Sequence, residues 1–359
     1  MGFKIMKFVV NDIAATPNAG GVYSILEDFY NDVLENDHTN QWVFILAGKY
    51  FEESDNVRII VRKDLKTSKI KKLIFERFTG RKFINLLKPD VYISLQNIAT
   101  YGIKTKKQIV YLHQPIPFET TKSFSFFNKR EAKLAVYQKL IGKFIKKSLS
   151  DNQPMTIVQT KWMKRSVVEQ TTLEPNYIII SHPKVNIDSN RNVYKGKGNL
   201  FFYPASNFLY KNQEVIYKAV KLLEKKGLSD FKVVFTLDKA SLPYEDRSIK
   251  YVGHISREKV MDMYNDHILI FPSYIESFGL PLIEAALHAD IILAADTPFA
   301  HELLDQYTNV YYFQYDSQIQ LAKLMKKAID NELFSNDKAL ELKNNGENLL
   351  TVIDKLVNR

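Results

Sequence analysis

Short apolar runs recur along this 359-residue chain with helix-patterned segments between them, and that alternation leaves few folds open. Such runs fit strands buried on both faces, the arrangement of a parallel sheet whose crossover helices cover it. The first half predicts strands at Phe3–Val10, Trp42–Leu46, Val57–Val61, Val91–Leu95, Ile109–His113, Thr156–Gln159 and Tyr177–Ile180. Helices are expected between them, at 22–34, about 66–87, 129–149 and 161–170. In the first of these Val22, Ile25, Leu26, Phe29, Tyr30 and Val33 recur at helix spacing. Residues 181–198 are polar, hold Pro and Gly, show no period and read as a linker. A second α/β unit follows, with strands at Leu200–Tyr203, Phe231–Thr236, Ile249–Val252, Ile268–Phe271, Ile291–Ala294 and Val310–Phe313. Helices at 211–226 and 256–265, one opening at Pro281, and two closing helices at about 317–330 and 336–357 complete it. The fold class expected is α/β, two Rossmann-like doubly wound domains facing across a cleft. Their spans are 1–180 and 199–335, with 336–359 packing back toward the first. In open α/β sheets ligands bind at the carboxyl ends of the strands.

A chain of this length is too long for one ordinary core and suits two domains. It has no cysteine, which excludes disulfides and thiolate metal sites and fits a reducing compartment. No apolar stretch is long enough to span a bilayer, and the amino-terminal residues enter a strand, so a cytoplasmic protein, peripheral on the inner membrane face, is expected. The net charge of +10 is uneven: residues 1–180 hold 28 Lys and Arg against 17 acidic residues, and residues 181–359 hold 22 against 23. The excess lies at Arg62–Lys88 and Lys122–Lys147, the second containing the aromatic cluster Phe124, Phe126 and Phe127. Basic helices beside aromatics suit an anionic membrane surface. No nucleic-acid motif accompanies the charge, and a nucleic-acid partner is not expected.

The densest signal is the run Ile268-Leu-Ile-Phe271-Pro-Ser-Tyr-Ile-Glu276-Ser277-Phe278-Gly279-Leu280-Pro281-Leu-Ile-Glu284-Ala-Ala. An apolar strand feeds a turn at Gly279, and Pro281 opens a helix where its missing N–H would have had no partner. The free N–H groups and positive end of such a helix form a phosphate site. Glu276 precedes the helix and Glu284 lies roughly one turn inside it. A phosphate flanked by two carboxylates for hydroxyls describes a nucleotide-sugar. The string resembles the signature of retaining glycosyltransferases of the GT-B fold, family 4, which reads Pro-Ser-x-x-Glu-[Ser/Gly]-Phe-Gly-Leu-Pro-x-x-Glu-Ala. The resemblance spans nearly the whole chain, strong over 268–304 and patchy over 1–180.

The resemblance implies a retaining hexosyltransferase that needs no metal or other cofactor, and no Asp-x-Asp cluster appears. It would move a hexose or deoxyhexose from a nucleoside-diphosphate sugar, held by the second domain, to a glycan or lipid-linked acceptor held by the first. Bacterial surface polysaccharide synthesis is the implied setting. Glu276 would orient the sugar, Glu284 would hold the ribose, and the N–H groups about Ser277, Phe278, Gly279 and Leu280 would meet the phosphates. Gly20 and Gly21 resemble the Gly-Gly loop that faces the sugar-phosphate, and His113, at a strand end before Gln-Pro-Ile-Pro, the family's sugar contact. Gly253 and Ile255 follow a strand where relatives hold the base. Asp296-Thr-Pro298 and Glu302 resemble a loop of the Pro-x-x-x-Glu type. Lys211 matches the lysine of Gly-Arg-x-x-x-x-Lys, but Ser206 stands where that motif has arginine, which removes a bidentate cation from the diphosphate. The departure keeps open an alternative of a different class, a non-catalytic partner subunit of a heteromeric transferase.

Overall fold

In a computed structural model, residues 5–17, 21–185, 196, 198–204, 206–241, 244–336, 338–342 and 346–358 are described. The chain divides into two compact units, Met1–Lys184 with Gly346–Arg359, and Val185–Asn345. Each is built on a wholly parallel sheet.

The first unit holds seven strands: β1 (Lys7–Asp12), β2 (Gln41–Leu46), β3 (Val57–Val61), β4 (Val91–Ser94), β5 (Lys107–Leu112), β6 (Met155–Val158) and β7 (Ile178–Ile180). Their order across the sheet is β3-β2-β1-β4-β5-β6-β7. Alternate side chains divide the strands between two faces. Phe8 and Val10 pack with Trp42, Phe44 and Ile93 against Leu26, Phe29, Tyr30 and Val33 of the helix Gly21–Asn36. Val9 faces the other way, with Ile45 and Tyr92, onto Leu65, Phe75 and Ile84.

The second unit holds six strands: β8 (Leu200–Tyr203), β9 (Lys232–Phe235), β10 (Ile249–Tyr251), β11 (Ile268–Phe271), β12 (Ile292–Ala295) and β13 (Val310–Phe313), in the order β10-β9-β8-β11-β12-β13. In both sheets the chain starts at a central strand, moves to one edge and returns to the other side of that strand. The reversals fall between β1 and β4 and between β8 and β11, where loops diverge and leave room for a ligand.

Several elements differ from expectation for identifiable reasons. β1 runs beyond Val10 because Asn11 and Asp12 stay in register with Ile45 and Leu46 although both are polar. The helices expected at 66–87 and 129–149 are each broken by a wide π turn, Phe75–Thr79 and Val136–Ile141. Pro298–Leu304, expected as loop, is a helix begun by Pro298 after Thr297. The closing helix is confined to Leu349–Val357 instead of 336–357, following Gly346 in a left-handed conformation (φ +76°). That helix belongs to the first unit. Leu350, Ile353 and Leu356 enter the core beside Phe29 and Val33, and Lys107 Nζ donates to the carbonyls of Leu356 at 2.5 Å and Val357 at 3.1 Å. A cation there answers the unpaired carbonyls and negative end of the helix.

Candidate active site

In the second unit Lys211, Gly253 and Glu276 all sit beyond the carboxyl ends of parallel strands and so on one edge of the sheet. The loop after β8 and the loop after β11 are tied together across the reversal point. Tyr203, buried at the end of β8, donates to the Lys211 carbonyl at 2.7 Å and shares a 3.1 Å hydrogen bond with Ser273. Asn212, held at φ +60°, donates to the carbonyls of Pro272 at 3.2 Å and Tyr315 at 2.7 Å. Tyr274 N–H donates to the Tyr210 carbonyl at 3.2 Å. These bonds fix the backbone under Lys211, whose Nζ meets Glu276 Oε1 at 2.5 Å. The two side chains are 19% and 14% exposed, sheltered enough for the charge pair to act strongly yet open to a ligand.

Gly279 precedes the helix Leu280–Leu287 at φ +105°, a conformation that L side chains rarely adopt. The helix therefore begins one residue before Pro281. Phe299 and Leu303, from the helix that follows β12, close on Gly279 and leave it buried. Ser277 and Leu280 are half-buried, and Phe278 is buried. Glu284 is buried in the first turns of this helix, where Oε1 accepts from Arg257 Nη2 at 2.7 Å and Oε2 from the Tyr264 hydroxyl at 3.3 Å. Burial raises its carboxyl above the usual range, and the Arg257 charge works in the opposite direction. Arg257 itself is 52% exposed. Beyond β10, Gly253 takes φ +68° beside Asp238, and Ile255 is half-buried.

Ser206 is exposed, and its carbonyl accepts from Gln213 Nε2 at 2.8 Å, which fixes the loop but supplies no charge. In the first unit, Gly20 lies outside the described residues. Gly21 opens the first helix with open space where a Cβ would stand, so no steric demand for glycine exists there. His113 follows β5. Asn97 Oδ1 accepts from the backbone N–H groups of His113 at 2.7 Å and Gln114 at 2.8 Å, so Asn97 Nδ2 is the group 3.3 Å from His113 Nε2. Burial, aided by the Lys72 charge, lowers the imidazole to about 4. A neutral ring that accepts at Nε2 carries its proton on Nδ1.

Residues 185–349 match the family model for glycosyl transferases group 1. That segment of the chain resembles the group 1 glycosyl transferases. Over 255 residues, 68% of each chain, the sequence is 22% identical to the O-antigen chain mannosyltransferase RfbU of Salmonella typhimurium. WaaG, a glycosyltransferase involved in lipopolysaccharide biosynthesis, aligns over 90% of each chain with a TM-score of 0.61 at 12% identity. The Anabaena protein Alr3699/HepE, solved with UDP and glucose, aligns over 91% of each with a TM-score of 0.57 at 13% identity. The two parallel-sheet domains and these neighbours fit a two-domain Rossmann-like GT-B fold.

The second unit thus brings Lys211 into contact with Glu276, and Glu284 into contact with a cation that sequence reasoning missed, Arg257. Sequence reasoning also missed Tyr203 and Asn212, which set the Lys211 loop, and a buried polar group in the first unit formed by Asn11, Glu76, Gln96 and Thr100. The signal for that group was present, since two apolar strands end in adjacent polar residues, Asn11-Asp12 and Gln96-Asn97. Among the described residues no cluster of three His, Cys, Asp or Glu could hold a metal ion, and no helix is long and apolar enough to cross a membrane.

Proposed function

We propose that the protein is a retaining, metal-independent glycosyltransferase that moves a hexose or deoxyhexose from a nucleoside-diphosphate sugar to a glycan or lipid-linked saccharide of a bacterial surface polysaccharide. The observation that carries this reading is the Lys211–Glu276 pair at the sheet's reversal point, beside a helix start shaped by Gly279. Lys211 exchanges its carboxylate for diphosphate oxygens, which frees Glu276 to accept from hydroxyls of the sugar. The cation and the helix N–H groups stabilise the charge that grows on the diphosphate as the sugar–oxygen bond breaks. Glu284 accepts from the ribose hydroxyls, and Gly253 to Ile255 offer backbone groups to the base. The acceptor hydroxyl attacks from the face the diphosphate leaves, with retention. The activity named for RfbU and the UDP and glucose held by the Anabaena protein support this reading.

The reaction is assigned to an anionic membrane surface on the cytoplasmic side. Phe127 is 98% exposed and Phe144 50% exposed, with Phe126 and Leu140 also exposed among lysines that include Lys139, whose Nζ lies 5.4 Å from the Phe126 ring centre. Apolar rings surrounded by cations fit an acidic headgroup layer.

Thermal-shift titration against UDP, GDP, dTDP and ADP sugars tests the donor site. Stabilisation by one base series is expected, with affinity reduced about tenfold in Glu284→Gln, the loss of one charge-assisted hydrogen bond. No shift with any nucleotide would defeat the proposal. Ser206 favours a second reading, a non-catalytic partner subunit, which would bind a donor and neither hydrolyse nor transfer it.

A further inference from the structure

The two helical segments of the first unit that contain a wide turn carry the same exposed pattern. On one, Ile70, Ile74 and Phe78 recur every four residues, with Ile70 70% and Phe78 60% exposed. On the other, Val136, Leu140 and Phe144 do the same and are also exposed. In an α-helix a step of four overshoots a full turn by about 40°, so such a stripe drifts round the axis. The turns Phe75–Thr79 and Val136–Ile141, closed one residue later, take more residues per revolution and oppose that drift. Each stripe therefore stays on one side of its helix. The opposite sides point into the unit: Phe75 and Ile84 cluster with Val9, Ile45 and Tyr92, and Ile145 and Leu149 with Val110, Leu112 and Val158. Tyr92 pairs with Gln108, two residues before Val110, so both helices cover the same face of the sheet. Tyr101 joins them. Its ring centre lies 3.8 Å from the Arg77 guanidinium, and its hydroxyl donates to Asp151 Oδ2 at 3.0 Å near the end of the second helix.

Two outward stripes on joined helices make one apolar surface, and the exposed charge around it has one sign. Lys71, Arg81 and Lys82 are exposed on the first segment, and Lys133, Lys143 and Lys147 on the second. Among the described residues of 70–88 and 126–150 no carboxylate is exposed: Glu76 is buried, and Glu131 is half-buried and paired with Lys122. Cations also lean on the exposed rings, Arg77 at 5.7 Å from the centre of Phe78 and Lys139 at 5.4 Å from that of Phe126. A second copy of this surface would set like charges against each other, whereas anionic headgroups match them. We propose that the helix pair is a single docking platform for an anionic lipid bilayer, on which the first unit lies with this face of its sheet toward the membrane. The inference rests on the membrane assignment made above, and extends it from one aromatic cluster to a second helix and to an orientation. The apolar side chains enter the acyl boundary while the lysine stems reach back to the phosphates. Crossover helices run back along the parallel strands they cover, so the carboxyl edge of the sheet opens along the bilayer surface. A saccharide carried on a lipid headgroup meets that edge without leaving the membrane.

The chain has no cysteine, so single cysteines can be labelled in the full-length protein without background. Ile70→Cys, Phe78→Cys, Leu140→Cys and Phe144→Cys, with Lys225→Cys in the second unit as a control, are each coupled to the environment-sensitive fluorophore NBD. Vesicles are phosphatidylcholine alone or phosphatidylcholine with phosphatidylglycerol. All four platform labels should brighten and shift to shorter wavelength with the phosphatidylglycerol vesicles only, and the control label should stay as it is in water. Ile70→Ser with Ile74→Ser and Phe78→Ser should weaken sedimentation with those vesicles about tenfold, since binding scales with the apolar area inserted. Unfolding midpoint and nucleotide shifts should be unchanged in that variant, because all three side chains are exposed. If the labels at 70 and 78 stay in water while those at 140 and 144 respond, or the triple variant sediments as wild type does, the platform is refuted and the membrane assignment above stands. If no label responds and wild type does not sediment, that assignment falls together with the platform. Labels that respond to protein concentration without lipid, with a doubled mass by light scattering, would give the surface to a second copy and overturn the proposal.

Discussion

Replacing Asp12 by asparagine should make the first unit more stable as pH rises relative to wild type. Asp12 ends β1 with its side chain buried, and its Oδ1 accepts from the Ala15 N–H at 3.2 Å. Burial lifts its carboxyl from 3.8 to about 7, against the opposing charges of Lys72 and Lys66. Between those values the unfolded chain releases a proton that the folded chain keeps, so this carboxyl's stabilising contribution falls as pH rises. The contribution is complete below about pH 4 and lost above about pH 7. At about 1.4 kcal/mol per pH unit the window amounts to about 4 kcal/mol. Asp12→Asn preserves the shape and the acceptor oxygen while removing the titration. Glu76, Lys72 and His113 remain in both proteins, so the difference between the two stability curves isolates Asp12. Both tryptophans, Trp42 and Trp162, lie in the first unit, so tryptophan emission during urea unfolding follows that unit. The variant should gain most steeply over wild type between about pH 5 and pH 7. A difference that stays constant over that range would refute the reasoning.

Lys211→Met should lower turnover about 10²-fold, as expected when one charge-stabilising group is withdrawn from a leaving anion, and steady-state rates with the nucleotide-sugar found by thermal shift will show it. Gly279→Ala forces a Cβ into the left-handed region 3.3 Å from Leu282 Cδ1; a cost of about 1–3 kcal/mol should appear as a lower unfolding midpoint and weaker nucleotide binding. Phe127→Ser with Phe144→Ser should reduce sedimentation with phosphatidylglycerol vesicles while leaving nucleotide shifts intact, and equal sedimentation would remove those rings from the membrane contact.

The strands with plain apolar sequences were legible from the chain alone. Leu200–Tyr203, Ile268–Phe271 and Val310–Phe313 have the expected limits because nothing charged lies inside them. β1 was placed too early because its last two residues are polar and buried, a pattern that hydropathy assigns to a loop. The wide turns at Phe75–Thr79 and Val136–Ile141 were missed, although one extra residue in a turn offsets the apolar positions that follow by about 100°. At the site, Lys211 and Glu276 were legible because a local string carries them. Arg257 and Glu76 were not, since their partners lie 27 residues away (Glu284) and 65 and 20 residues away (Asn11 and Gln96). Such pairings are set by sheet order, which no local spacing records.

The return of residues 346–358 to the first unit gives synthesis an unusual order. A ribosome that has made residues 1–184 has made a sheet covered by a helix whose Phe29 and Val33 still await Leu350, Ile353 and Leu356. The amino-terminal half emerges first and is finished last, after the whole second unit has been translated. A fragment ending at Lys184 would carry that uncovered apolar strip permanently, so recombinant expression of the first unit calls for the closing helix to be supplied in cis or as a separate peptide.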